Sequence, residues 1–416
     1  MNPVSTNSWL HRFAVLTAAA TLVLLVAGGL VTSKGVGMAV PDWPNTYGYN
    51  MFLFPVSQWV GGIFYEHSHR LIGALVGLLT ATLAAWLWTR ETTGRARWLG
   101  LSAIGLVLVL MGVRQMPVYL ALAAGAVVGI VLSLRRFVRR PGELRWLGLT
   151  ALAAVILQGV LGGLRVVWIQ NELGIVHATL AQLFFVLMCA VTLFTSRWWQ
   201  RLDAAEVGAL RVDRSLVRLA VAVTVMILGQ LILGATMRHQ HAGLAIPDFP
   251  LAYGRLWPAM DAESVARYNQ QRIEVLAQNP ITAFQLGLQM AHRLVAAAIL
   301  IGVGLVAWRA RRMGVTMSNA AGAVLQKLAF AWLGLIAVQM ALGAWTIWSN
   351  KAADVATAHV LVGALSLVAG AMWCLIALRR PGAASVRVAP VAREKVVGSS
   401  GFAAGQGLGT VSGSRA

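Results

Sequence analysis

This chain is short of charge, shorter still of acid, and almost without cysteine. Only 12% of its 416 residues are charged and 58% are hydrophobic, a balance that excludes an ordinary soluble domain. Asp and Glu number 14 against 34 Lys and Arg, giving a net charge of +20. No basic stripe is interleaved with aromatic residues, so this excess does not read as a nucleic-acid surface. The two cysteines, Cys189 and Cys374, fall in the inner halves of expected helices, and no disulfide framework is implied. The first apolar run lacks an Arg- and Ser-rich transit segment ahead of it, which favours a bacterial plasma membrane over an organelle.

What the chain has instead is apolar sequence in runs of membrane length. Ten such runs lie near 14–33, 67–89, 98–113, 117–134, 146–168, 175–195, 215–237, 283–308, 324–348 and 355–378. A helix of this length crosses a hydrocarbon core of about 30 Å. The third and fourth are short and divided only by Arg114-Gln115-Met116-Pro117. With the N-terminus inside, Arg90, Arg95, Arg97, the arginines of 135–145 and of 197–218, Arg309, Arg311, Arg312, Lys327, Arg379 and Arg380 all fall on the cytoplasmic side. That obeys the positive-inside rule and puts both termini in the cytoplasm. The first run exceeds a signal-peptide core and has a counterpart at 215–237, so it is expected to be retained.

The chain also repeats itself. Gly37-Met38-Ala39-Val40-Pro41-Asp42-Trp43-Pro44-Asn45-Thr46-Tyr47-Gly48 returns as Gly243-Leu244-Ala245-Ile246-Pro247-Asp248-Phe249-Pro250-Leu251-Ala252-Tyr253-Gly254. A His-Arg pair follows each copy, His69-Arg70 and His292-Arg293, and Leu157 to Gly163 echoes Val338 to Ala344. These echoes predict an all-α membrane protein made of duplicated four-helix bundles in the same orientation. The first bundle takes 1–195, with an extra hairpin near 98–134; a polar linker follows at 196–214, then the second bundle at 215–380. The Gly- and Ser-rich tail 381–416 is expected to be disordered.

Four of the eight histidines, His69, His177, His292 and His359, stand one or two turns inside the outer ends of helices, two in each half. Ionisable residues inside a membrane are costly and usually face a partner within the bundle. One such histidine is as easily an interhelical hydrogen bond; four at matched depth point to a ligand. A bare metal ion would want further carboxylates or thiolates, whereas a haem brings four nitrogens and needs only axial ligands. Small residues one turn below each histidine, Gly73, Ala181, Ala296 and Gly363, leave room for a flat macrocycle or for close helix packing. Arg70 and Arg293 are candidates for haem propionates, with snorkelling to the headgroups as the alternative. His67, His11, His239 and His241 are weaker candidates. Glu66, three before His69, is replaced by Gln289 in the second half. A buried carboxylate beside a macrocycle can pass protons, and it can equally pair with Arg70 at i+4.

Taken together, Glu66-His67-Ser68-His69-Arg70, the Pro-Asp-Trp-Pro loop, the Leu-Gln-x-x-Leu-Gly-Gly helix end and Val176 to Gln182 resemble the haem A synthase family. The resemblance implies oxidation of the C8 methyl of haem O to a formyl group, by two successive hydroxylations and loss of water. It implies Glu66 as the catalytic carboxylate, His69 and His177 as axial groups for the substrate haem, and His292 and His359 as ligands of a haem b cofactor. A haem O synthase and an electron donor are the implied partners; the lipid bilayer is the setting, and a homo-oligomer is compatible with the sequence. Two features depart from the family pattern. The loop 34–66 has no cysteine pair, and the 98–134 hairpin is additional. A di-haem b electron-transfer protein fits four histidines equally well and is opposed by the Glu66/Gln289 asymmetry. A solute transporter fits less well, because the ligands lie near one surface.

Overall fold

Helices form where the apolar runs are. The computed structural model describes residues 7–201, 212–271, 280–316 and 320–379. Twelve helices stand among the described residues: α1 (Ser8–Ser33), α2 (Gly61–Glu91), α3 (Gly94–Met111), α4 (Met116–Arg139), α5 (Arg145–Trp168), α6 (Asn171–Thr195), α7 (Arg197–Arg201), α8 (Arg214–His239), α9 (Ala262–Gln270), α10 (Ala283–Thr316), α11 (Ala320–Trp348) and α12 (Ala353–Ala377). All but the short α7 and α9 are long and apolar enough to cross a membrane, so this is an all-α multi-pass membrane protein. The ten expected spans are those ten helices. The tail 381–416 and residues 202–211 of the linker lie outside the described residues.

Local chemistry sets several ends. Asn7 accepts from the amides of Trp9 and Leu10 to start α1, and Asp213 accepts from Ser215 to start α8. Pro117 sits in the first turn of α4, where its missing N–H costs nothing. Glu91 ties the start of α5 to the end of α2 by accepting from the amides of Leu144 and Arg145 at 2.9 and 3.1 Å.

Packing produces two rings of four helices. In the first, α1 packs on α2, α2 on α5, α5 on α6 and α6 back on α1. In the second, α8 packs on α10, α10 on α11, α11 on α12 and α12 back on α8. The hairpin of α3 and α4 lies outside the first ring, against α2 and α5. The rings meet through α1 and α6 on one side and α8 and α12 on the other. Across that seam the Ser33 and Thr357 hydroxyls hydrogen-bond at 2.9 Å, and Arg238 donates to the Gly29 carbonyl and to the Ser33 hydroxyl.

A cluster of large apolar side chains packs the end of each ring away from the histidines. Leu83, Leu87, Met188 and Val191 close the first; Trp332, Trp373, Val303 and Leu216 close the second. Interiors pack to near-crystalline density, so these ends have no room for a further group. The histidines lie toward the other ends, six to nine residues beyond the starts of their helices, roughly 9–14 Å along the axis.

Candidate functional site

Each repeated segment folds into a self-closed loop at the histidine end. The Asp42 carboxylate accepts from the amides of Tyr47 and Gly48, both at 2.8 Å, and the Tyr47 hydroxyl donates to the Ala39 carbonyl. The Asp248 carboxylate accepts from Tyr253 and Gly254 at 2.7 and 2.9 Å, and the Tyr253 hydroxyl donates to Ala245. Tyr47, Gly48, Tyr253 and Gly254 all have positive φ, and the aspartates satisfy the amides those turns expose. The Trp43–Pro44 and Phe249–Pro250 bonds are cis.

The helices that carry the histidines grip these loops. Glu66 Oε2 accepts from the Val40 amide at 2.9 Å, and Gln289 Oε1 accepts from the Ile246 amide at 2.7 Å. Glu66 and Gln289 are 4% and 2% exposed, so both bonds form away from water. Arg70 donates to the carbonyls of Val40, Asp42 and Asn45 and to Glu66 at 2.7 Å. Arg293 donates to the carbonyls of Asp248 and Leu251. Both candidate propionate arginines are thus occupied by their own loops, and the Glu66–Arg70 pair that the i+4 spacing allowed is formed.

The four histidines share a seat that the sequence reading missed. Each imidazole lies edge-on against a glycine of the neighbouring helix. A Cβ there would stand 2.9 Å from Cε1 of His69 at Gly28, 3.1 Å from that of His177 at Gly162, 3.4 Å from that of His292 at Gly234 and 3.1 Å from that of His359 at Gly343. Three of these glycines follow a glutamine by four residues. Gln158 donates to the His177 carbonyl at 3.1 Å and Gln230 to the His292 carbonyl at 2.8 Å, while Gln339 Nε2 is 3.5 Å from His359 Nε2. The signal was available as Gln-x-x-x-Gly recurring in α5, α8 and α11. The small residues at i+4 do not provide equivalent clearance, since Leu231 and the Gln339 amide lie against Gly363.

In all four rings Nδ1 is buried with no hydrogen-bond partner, while each of the four residues is half-buried as a whole. The rings of His292 and His359 stand edge to face with centroids 6.5 Å apart and planes at 60°. Two metal–imidazole bonds of about 2 Å plus the half-widths of two rings span about 6 Å, so this pair fits the axial positions of one haem iron. Among the described residues no three His, Cys, Asp or Glu side chains come together, so a group bringing its own donors suits these pairs. The other histidines play different parts. His67 is fully buried beside Phe54 and Trp59, 3.1 Å from the Thr46 hydroxyl, and His239 packs on Gly174. His11 is 3.2 Å from the Thr195 hydroxyl, and both cysteines are free.

The chain is similar to known proteins. Residues 114–371 match the COX15-CtaA family, described as cytochrome oxidase assembly protein. Relatives named heme A synthase include one from Geobacillus kaustophilus, 26% identical over 390 residues covering 89% of this chain and 92% of the relative. One from Rhizorhabdus wittichii is 28% identical over 389 residues (91% and 95%), and one from a Caulobacter species is 27% identical over 387 (90% and 96%). The family match takes in more than half of the sequence, and the chain belongs to the COX15-CtaA family of cytochrome oxidase assembly proteins.

Proposed function

We propose that this protein is a haem A synthase: its first half oxidises the C8 methyl of haem O to a formyl group, and its second half holds haem b. The relatives' names and the family match support the activity. His292 and His359 hold the haem b, which supplies electron transfer when bound. His69 and His177, each seated on a glycine, position the substrate haem in the ring of α1, α2, α5 and α6. The N-terminal bundle 1–195 is then the catalytic unit, 196–214 the linker and 215–380 the cofactor unit. The arginine distribution supports cytoplasmic termini, and a bacterial inner membrane is the location that goes with this reading. A haem O synthase and an electron donor are the partners this chemistry requires.

One observation carries the catalytic assignment. Gln289 anchors its loop amide without a charge, and Arg293 holds its loop carbonyls without a carboxylate. Glu66 does the same anchoring and adds an ionisable group that anchoring does not need. We assign that extra group to holding and passing protons while the methyl is oxidised. Extraction of pigments from the purified protein followed by mass analysis tests the reading. Haem b together with haem O, its hydroxymethyl form or haem A is expected; haem b alone, two per chain, would establish the di-haem electron carrier instead.

A further inference from the structure

The terminal nitrogens of Arg70 and Arg293 hold their own loops, whereas another guanidinium of the first half, that of Arg165, holds none. Arg165 stands in the last turn of α5, three residues beyond Gly162, on the helix face that seats His177 and one turn nearer the loop end. Its guanidinium lies between two glycine backbones. A Cβ on Gly37 would meet its Nη atoms at 3.0 and 3.1 Å, and a Cβ on Gly174, three residues before His177 on α6, would meet its Nε at 3.0 Å. Among the described residues this guanidinium makes no hydrogen bond and no ion pair, although it is half-buried.

A cation in the last turn of a helix is favoured by the helix dipole, and an arginine at a membrane boundary can snorkel. Neither accounts for a guanidinium turned inward onto two glycines above a histidine pair. His239 of α8 packs on the same Gly174, and the Arg238 guanidinium, bonded to Gly29 and Ser33, is near enough to Arg165 for the two charges to interact. The nearby Glu66 is committed to Arg70 and the Val40 amide. In the aligned repeat, the place of Arg165 is taken by the neutral Thr346, so the first half alone has this cation.

We propose that Arg165 is a carboxylate-binding residue of the first-half site, holding a propionate of the substrate haem and so fixing which edge of the macrocycle faces the loop. The proposal rests on the haem O reading above and adds to it a residue that sets substrate orientation. A guanidinium can meet a carboxylate with two parallel charge-assisted hydrogen bonds, which a lysine cannot reproduce in full.

The test uses full-length protein with its haem b in place, titrated with haem O and with haem O dimethyl ester, whose carboxylates are masked. For Arg165→Met, affinity for haem O falls about 10- to 100-fold, the usual weight of a charged hydrogen bond, while affinity for the diester stays near wild type. Arg165→Lys recovers part of the loss, and the haem b absorbance of both variants is unchanged. Equal loss for haem O and diester, or loss for neither, overturns the proposal while leaving the haem O reading intact. Failure of the wild-type protein to bind haem O at all overturns both.

Discussion

Gly28 of α1 and His69 of α2 are in contact, and a Cβ on Gly28 would stand 2.9 Å from His69 Cε1. The absence of that one carbon lets the imidazole edge sink into the neighbouring helix. The same relationship holds for Gly162 with His177 and Gly343 with His359, while at Gly234 a Cβ would make only an ordinary 3.4 Å contact with His292. The seat fixes each ring by backbone proximity, without a hydrogen bond to Nδ1.

Alanine at these glycines tests the seats. At Gly343, where a Cβ would lie 3.1 Å from His359, the ring must shift at a cost of about 1–3 kcal/mol, and haem b absorbance falls. At Gly234, with 3.4 Å to His292, alanine fits with little change. Gly28→Ala leaves haem b intact and reduces haem A formation. Equal spectra for Gly343→Ala and wild type would remove the seat from the account.

Removing a ligand should be more severe than moving it. On the proposed assignment of His292 and His359, whose rings stand 6.5 Å apart, as the haem b ligands, either alanine variant would lose an axial bond. The b-type absorbance of purified protein then falls or becomes high-spin. A fully low-spin bis-histidine spectrum in both variants would exclude these residues as ligands.

The arginine grips predict unequal stability effects. Arg70 holds three loop carbonyls and the buried Glu66, so Arg70→Met strands a carboxylate and costs about 3–5 kcal/mol. Arg293→Met breaks carbonyl bonds alone and costs about 1–3 kcal/mol. Thermal unfolding of the detergent-solubilised variants checks the order, with Arg70→Met expected to melt lower. The opposite order would contradict the shared grip.

These residues also mark how far the sequence could be read. The ten spans were legible because bilayer thickness imposes one run length on every crossing helix. The four histidines stood out because ionisable side chains are rare in such runs. Their glycine seats were legible only in part: Gln-x-x-x-Gly recurs in α5, α8 and α11, but Gly28 meets His69 through the register of two helices, which no local pattern reports. The grip of Arg70 and Arg293 on their own loops was not legible, because side-chain direction at a helix end depends on the loop folded over it. Helix α9 went unread because it is short and polar, within a loop. Arg165 carries no sequence signal of its own, being a single arginine in the last turn of a helix.

Membrane orientation gives a separate check. Reporters fused within 90–97, 135–145, 196–214 and 309–323 are expected to read cytoplasmic, and those within 34–60 and 255–275 external. A cytoplasmic signal from 34–60 would place every histidine at the wrong face.

The central claim is that Glu66 carries proton chemistry beyond its anchoring bond. Glu66→Gln gives the first half the residue the second half already uses at Gln289, where an amide serves the same loop position. The fold, His69 and haem b content should therefore be kept. The decisive measurement is chromatography of haems extracted from cells that rely on this protein for haem A. Loss of haem A with accumulation of haem O or its hydroxymethyl form is the predicted result; a normal haem A level would contradict the claim and leave Glu66 as the ion-pair partner of Arg70.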